Sequence, residues 1–241
     1  LGALTIQPSE IIKPFLIIIF SYFLAEKSKL SYLAQFGYYV LMLVVPALLI
    51  FKQPDLGSAL VIAAIWLGIF LASKLPKAAL LVMLILGLII SPLAWHQLKP
   101  YQQQRISSFL NPYADPQAAG YHLIQSVIAI GSGGFFGRGL GSGPQAQSQF
   151  LPERHTDFIF ATLAEERGFS GSIVLLVAYF LLLKRLLLIA SQAPDEFGRL
   201  ISAGVFSLIF FQTAVNLGMN LGLLPITGIT PVVTSAATYS L

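Results

Sequence analysis

The sequence of 241 residues contains no cysteine, which excludes disulfides, thiol nucleophiles and zinc–thiolate sites. Only 10% of the residues are charged, whereas ordinary soluble domains carry roughly 25%. The histidines at 96, 122 and 155 lack metal-ligand spacing, and there is no HExxH motif, so protein-bound zinc is not expected. No glycine-rich stretch fits a Walker loop or a dinucleotide fingerprint. These absences exclude several common classes of enzyme.

Apolar residues dominate what is present, at 56% of the chain with a mean hydropathy of +0.79. A core built from 241 residues could not hide this much apolar surface from water, so lipid is the solvent for much of the chain. Six apolar runs lie at 11–25, 35–51, 56–73, 77–95, 169–190 and 199–223. We predict an all-α integral membrane protein with one polytopic domain (1–241) and about six transmembrane helices. For any single run, a buried core helix remains the alternative.

The basic residues predict which ends of the spans share a face. They follow the first run (Lys27, Lys29) and the third (Lys74, Lys77), and they lie around the end of the fifth (Lys184, Arg185, Arg199). By the positive-inside rule this face is cytoplasmic. The outer face then receives residues 1–10, the turn at 52–57, a large extracytoplasmic loop at 96–156 and the C-terminal tail. The net charge of +4 reflects this orientation, and no nucleic-acid partner is expected.

The outer loop contains "GSGGFFGRGLGSG" (131–143), with seven glycines in thirteen positions. One interpretation is a flexible hinge. The other is a backbone that passes close to a ligand or to another helix, with Arg138 available to bind an anion. Both interpretations stay open at this point.

Charged residues crowd into "SQFLPERHTDFIFATLAEERGFSG" (148–171), although the chain around it is mostly apolar. We predict that Thr156 caps a helix whose first turn contains Asp157. Asp157, Ala161, Ala164 and Gly168 would share one face, a stripe of small residues that allows close helix packing. Asp157 could serve only as an N-cap partner or ion-pair with Arg154. Alternatively, desolvation at the membrane edge raises its pKa, so that it accepts a proton near neutral pH.

Polar residues also lie at the outer ends of two other spans. Glu10 and Lys13 are one helical turn apart in "QPSEIIK", close enough to pair, and Asp55 precedes Gly57 in "KQPDLGSAL". Helix capping and an internal salt bridge are sufficient explanations for both motifs. Arg105 and Arg154 are better candidates for phosphate contacts, because guanidinium binds phosphate oxygens bidentately.

Five motifs together resemble the SEDS family of bacterial envelope polymerases, which includes RodA, FtsW and their sporulation relatives. They are "QPSEIIK", "QPDLGSAL", "RISSFLNPYADPQAAGYHLIQSVIAIGSGGFFGRGLGSG", "FLPERHTDFIFATLAEERG" and "NLGMNLGLLPITG", in family order. Of these, "KQPDLGSAL" and the region around "NPYADP" lean toward RodA rather than FtsW. The resemblance implies an inner-membrane peptidoglycan glycosyltransferase of ten transmembrane helices that polymerises lipid II. It also implies a class B penicillin-binding protein as partner.

The resemblance also assigns roles to residues. Asp157, in HTDF, would be the catalytic base. Contacts with the substrate would come from Arg105, Lys13, Glu10, Arg138, Glu153 and His155. The functional loops would include Asp55, Gly57 and Gln125. No metal ligands are assigned, and the need for a divalent cation is left open.

Two other functions remain open from the sequence: a lipid II flippase, and an inactive scaffold that recruits the penicillin-binding protein. The chain begins at the family's QPSE region and ends in the atypical "TPVVTSAATYSL". We therefore expect a fragment that lacks three N-terminal spans, from a truncated or frame-slipped gene copy, and its own activity is left open.

Overall fold

The computed structural model of the chain describes residues 8–26, 31–52, 55–78, 80–81, 85, 103, 107–109, 119–139, 142 and 157–229. All regular secondary structure in these residues is helical. The main helices are α1 (Pro8–Glu26), α2 (Tyr32–Lys52), α3 (Leu56–Ala72), α4 (Ala119–Ser132), α5 (Ile159–Gln192) and α6 (Glu196–Asn220).

Several of the helices are long and apolar, as a membrane protein requires. Three of them could cross a bilayer by length and composition, at Tyr32–Ile50, Ile159–Gln192 and Glu196–Asn220, and α3 is a shorter apolar helix. The prediction of an all-α, polytopic membrane protein is confirmed. Most of the apolar run 77–95 lies outside the described residues, so the total of about six spans stays a prediction.

The chain packs as two compact units. The first contains residues 1–94 and 182–211. Its centre is an aromatic stack in which the rings of Tyr39 and Trp66 lie 4.9 Å apart and those of Trp66 and Phe70 lie 5.6 Å apart. Tyr39 Oη donates a hydrogen bond to the Trp66 carbonyl and Trp66 Nε1 donates one to the Tyr39 carbonyl, each at 2.9 Å. Both polar tips are therefore satisfied inside an apolar core.

Ion pairs and hydrogen bonds show which helix ends meet in the first unit. Lys74, just after α3, pairs with Glu196 at the start of α6 at 2.7 Å. At another end, Ser9 of α1 donates a hydrogen bond of 3.3 Å to the Asp55 carboxylate at the start of α3. The basic ends after α3 and before α6 thus lie together, as the sequence predicted. That this face is cytoplasmic stays a prediction.

The second unit contains residues 95–181 and 212–241. Its core joins α4 to the beginning of α5 through Ala129, Phe158 and Ala161, with Ile130 and Ile226 packed against them. Ile226 belongs to the segment that follows α6. Three separate stretches of sequence therefore converge around the start of α5.

Gly168 interrupts α5, with φ of 68° and ψ of −163°. The glycine segment (131–139, the described part of the glycine-rich motif) lies against this break. Four main-chain hydrogen bonds join them: Arg138 N to Glu165 O (3.0 Å), Gly139 N to Glu166 O (3.1 Å), Phe169 N to Gly134 O (2.9 Å) and Ser170 N to Phe135 O (3.1 Å). The break leaves helical N–H and carbonyl groups without helical partners, and the glycine segment satisfies them.

Close backbone approach explains the glycines in this segment. A Cβ atom at Gly133 would overlap the Ala164 carbonyl, and one at Gly137 would overlap the Glu166 carbonyl. Gly137 also has a φ of 82°, which side chains rarely permit. Of the two interpretations of the motif, the described part fits close approach to another helix, and it is tied down by hydrogen bonds rather than free to act as a hinge.

Candidate active site

Asp157 is half-buried and lies two residues before the first residue of α5, Ile159. The first helical hydrogen bond of α5 runs from Thr162 N to the Phe158 carbonyl at 3.1 Å. We predicted Asp157 within the first turn of this helix, so the helix begins later than expected. The predicted cap, Thr156, lies outside the described residues. Asp157 therefore approaches the helix from a non-helical turn.

Two asparagine side chains hold the main chain of Asp157. The Asp157 carbonyl accepts hydrogen bonds from Asn216 Nδ2 at 2.9 Å and from Asn220 Nδ2 at 3.0 Å. Asn216 and Asn220 are 1% and 0% exposed, and both lie near the end of α6. Their spacing of four residues places them on one face of that helix. An acid at this position is thus held through its backbone by buried amides.

The network continues from Asn220 to two other helices. Asn220 Oδ1 accepts a hydrogen bond from Ala161 N in α5 at 3.1 Å. The Asn220 main-chain carbonyl accepts one from the Ser126 hydroxyl in α4 at 2.9 Å. Ser126 is fully buried. These polar groups are matched to one another where water is excluded, which gives the start of α5 one defined position.

Sequence reasoning assigned no role to Asn216, Asn220 or Ser126. The signal was available in "NLGMN" (216–220), because two amides on one face of an apolar span need partners. Only the fold identifies those partners, since Asp157 is about sixty residues away along the chain.

The segment after α6 lies beside the Asp157 carboxylate. Gly228 has a φ of 70°, and a Cβ atom added there would lie 3.7 Å from Asp157 Oδ2. The same segment is held by Asn216, whose Nδ2 donates a second hydrogen bond to the Ile229 carbonyl at 3.0 Å. A glycine at 228 therefore leaves space beside the carboxylate that any side chain would occupy.

The predicted stripe of small residues below Asp157 is confirmed. Ala161, Ala164 and Gly168 are all buried on α5. The Glu165 side chain is also fully buried, which the sequence did not predict. The stripe is where the glycine segment and the core of the second unit pack against α5.

Two other predicted residues of the second unit, Arg138 and Gln125, lie in the described part of the chain. Arg138 is exposed, and its Nε donates a hydrogen bond of 3.0 Å to the Ser132 carbonyl, which caps the end of α4. Gln125 lies on α4 and is half-buried. Arg105, Glu153 and His155 lie outside the described residues. Their proposed contacts with substrate stay predictions.

The predicted residues of the first unit form two local structures. Lys13 is buried and pairs with Glu10, as the spacing predicted. The Asp55 carboxylate caps α3 by accepting a hydrogen bond from Ser58 N at 2.9 Å, and Gly57 is buried in the first turn. Capping and internal pairing therefore both occur, and contact between these residues and a substrate stays a prediction.

Glu10→Gln is expected to destabilise the first unit by about 3–5 kcal/mol, because a buried ammonium loses its carboxylate partner. Lys13 is only 2% exposed, whereas the Glu10 side chain is 29% exposed, so water replaces that partner only in part. The double variant Glu10→Gln/Lys13→Met should regain most of the loss, since it removes both charges. Unfolding in detergent micelles measures both effects. Unchanged stability in Glu10→Gln would contradict a structural role for the pair.

Among the described residues, no group of three or more histidine, aspartate or glutamate side chains could hold a metal ion. The described part of the chain therefore offers no candidate ligands for a divalent cation.

Residues 1–238 match the family model of the cell cycle proteins FtsW, RodA and SpoVE. The peptidoglycan glycosyltransferase MrdB of Escherichia coli (strain K12) is 42% identical over 230 residues, covering 95% of this chain and 62% of that protein. The stage V sporulation protein E of Bacillus subtilis (strain 168) is 41% identical over 237 residues, covering 95% and 63%. This chain thus spans less than two thirds of the length of these relatives.

Solved structures that share the fold include the following two. One is described by the phrase "Structural coordination of polymerization and crosslinking by a peptidoglycan synthase complex". It matches with a TM-score of 0.79 at 35% identity, covering 95% of this chain and 64% of that one. The rod shape determining protein RodA of Thermus thermophilus matches with a TM-score of 0.63 at 27% identity, covering 99% and 63%.

Proposed function

This chain belongs to the FtsW, RodA and SpoVE family of cell cycle proteins, and we propose that it carries the active site of a peptidoglycan glycan-strand polymerase that uses lipid II. The observation that supports this proposal most directly is the position of Asp157. Its carboxylate lies beside a glycine, and buried amides hold its main chain. Such an arrangement suits a group that must meet a substrate atom in one geometry.

In the proposed reaction Asp157 acts as the general base. Its carboxylate accepts the proton of the acceptor sugar hydroxyl while that oxygen attacks the anomeric carbon of the donor sugar. The bond from the anomeric carbon to the pyrophosphate oxygen breaks, and its electron pair leaves with undecaprenyl pyrophosphate. The proton then passes from Asp157 to water. An α-linked donor gives a β-linked glycan, with inversion, and no step is assigned to a metal ion.

Partners and location follow from the same proposal. The relatives include a peptidoglycan glycosyltransferase, and a structural neighbour comes from a complex that couples polymerization with crosslinking. We accordingly propose a class B penicillin-binding protein as partner, in the bacterial inner membrane, with the active site on the extracytoplasmic side. Arg105 and Lys13 are assigned to the pyrophosphate or to structural pairing, and the process served is cell elongation.

Incubation of the purified chain and a class B penicillin-binding protein with labelled lipid II tests the proposal. Glycan ladders on a gel are the expected product. The same chain in vesicles, with labelled lipid II in one leaflet, tests transport. Translocation without ladders would indicate a flippase. If neither activity is detected, the chain would be a scaffold or an inactive piece. Ladders only from a full-length relative would restrict the proposal to the longer protein.

A further inference from the structure

The Asn220 side chain takes the place of a helical hydrogen bond. In a regular helix the Asp157 carbonyl would accept from Ala161 N, four residues on. Here that carbonyl accepts from Asn220 Nδ2 at 3.0 Å, while Ala161 N donates to Asn220 Oδ1 at 3.1 Å. One amide therefore satisfies both members of the missing pair. This is the physical reason why α5 begins at Ile159 and Asp157 stays in a turn.

Asn216 performs a related task between Asp157 and the segment that follows α6. Its Nδ2 donates to the Asp157 carbonyl at 2.9 Å and to the Ile229 carbonyl at 3.0 Å. The residue before Ile229 is Gly228, which lies beside Asp157 Oδ2. A single amide thus sets the spacing between the acid and the backbone that faces it.

The two amides also support each other. Asn220 Nδ2 donates to the Asn216 main-chain carbonyl at 2.8 Å and lies 3.3 Å from Asn216 Oδ1. Both N–H donors of each side-chain amide are thereby directed at carbonyl oxygens in a buried site. Loss of either amide would leave main-chain groups of the site unsatisfied away from water.

We propose that Asn216 and Asn220 are positioning residues for the reaction, which hold Asp157 out of the helix and at a set distance from Gly228. This inference rests on the proposed function, because Asp157 is the base there. The Asn216 and Asn220 amides donate hydrogen bonds to the main-chain carbonyl of Asp157, so they act on the direction of its carboxylate through the backbone.

Asn220→Asp is the sharpest test, since the new side chain keeps the shape and one acceptor oxygen but loses the N–H donors. The polymerisation rate constant kcat is expected to fall about a hundredfold, as for a misplaced catalytic group. KM for lipid II should change little. A protonated carboxyl can donate one hydrogen bond, so the activity of the variant relative to the parent should rise as the pH is lowered.

Gln212→Glu is the matched control. Gln212 lies on the same helix, is 0% exposed, and its amide has no hydrogen-bond partner within the described part of the chain. The same amide-to-acid change there should lower stability without the pH-dependent recovery of kcat. Equal losses of kcat in the two variants, or a relative activity of Asn220→Asp that does not vary with pH, would overturn the inference.

A second measurement is independent of activity. The chain has no cysteine, so Asp157→Cys introduces a single thiol. Adding Asn220→Asp to it should raise the rate of labelling by a water-soluble thiol reagent by roughly five- to thirtyfold, because one or two kcal/mol of local stability are lost. Adding Gln212→Glu instead should leave the rate unchanged, because in the described part of the chain the Gln212 amide makes no hydrogen bond that holds residue 157. An unchanged rate with Asn220→Asp would overturn the inference even if no polymerisation is detected.

These outcomes separate the two proposals. If Asp157→Asn retains full polymerase activity, the proposed role of the acid fails, while the labelling rates still report how Asn220 holds residue 157. If Asp157→Asn is inactive and Asn220→Asp behaves as the parent in both assays, only the positioning role fails.

Discussion

Asp157→Asn is expected to reduce glycan polymerisation by about 10²- to 10⁴-fold, the usual contribution of a general base. Asparagine has nearly the shape of aspartate but accepts a proton poorly. The fold should survive the change, because Asn216 and Asn220 bind the main-chain carbonyl of residue 157, which the substitution leaves in place. Rate constants from glycan ladders at saturating lipid II measure the effect, with unfolding in detergent as the check on stability.

Asp195→Asn provides the same chemical change at a position outside the proposed site. Asp195 is exposed and caps α6 by accepting a hydrogen bond from Gly198 N at 3.1 Å, which asparagine can also accept. This variant should polymerise at the parental rate. Ladders of equal intensity from Asp157→Asn and Asp195→Asn would mean that the Asp157 carboxylate is not the base.

Gly168→Ala is expected to destabilise the second unit by more than about 3 kcal/mol. The backbone angles of Gly168 lie in a sparsely populated region, where a residue with a side chain is strained by roughly 1–3 kcal/mol. Its Cβ would in addition overlap Gly137 N and lie 2.7 Å from the Phe135 carbonyl. Both are main-chain atoms of the glycine segment, which cannot move without breaking the hydrogen bonds across the break in α5. Unfolding in detergent measures the loss.

Gly131→Ala is the matched control for this effect. Gly131 lies in α4 at the start of the same glycine segment, and a Cβ atom there would meet nothing within 4 Å. Alanine favours a helix over glycine by about 1 kcal/mol, so this variant should be as stable as the parent or slightly more so. Similar stability of the two variants would show that the break at Gly168 does not require glycine.

Much of the architecture could be predicted from the order of residues alone. Apolar runs predicted the helical spans because helical length and hydropathy are local properties. The pairing of Lys13 with Glu10 followed from their spacing of one turn, and the capping role of Asp55 followed from its place before α3. The stripe of Ala161, Ala164 and Gly168 was correct for the same reason, since helical periodicity determines which residues share a face.

The exact start of α5 and the use of the glycines could not be predicted in this way. A capping rule placed Asp157 in the first turn because the rule considers only neighbouring residues. The helix begins later because Asn220, distant in sequence, takes both hydrogen-bonding groups of the missing turn. The glycine-rich motif was equally consistent with a hinge until its backbone was seen against the break at Gly168.

The sequence by itself therefore determined the helical class, the membrane character and the identity of the candidate acid, since these depend on composition, periodicity and a local motif. Only the tertiary structure decided how that acid is held. The amides of Asn216 and Asn220, the hydroxyl of Ser126 and the open side at Gly228 come from separate segments. Hydrogen bonds between such segments form in a buried site only after the helices pack, because water would otherwise satisfy each group separately.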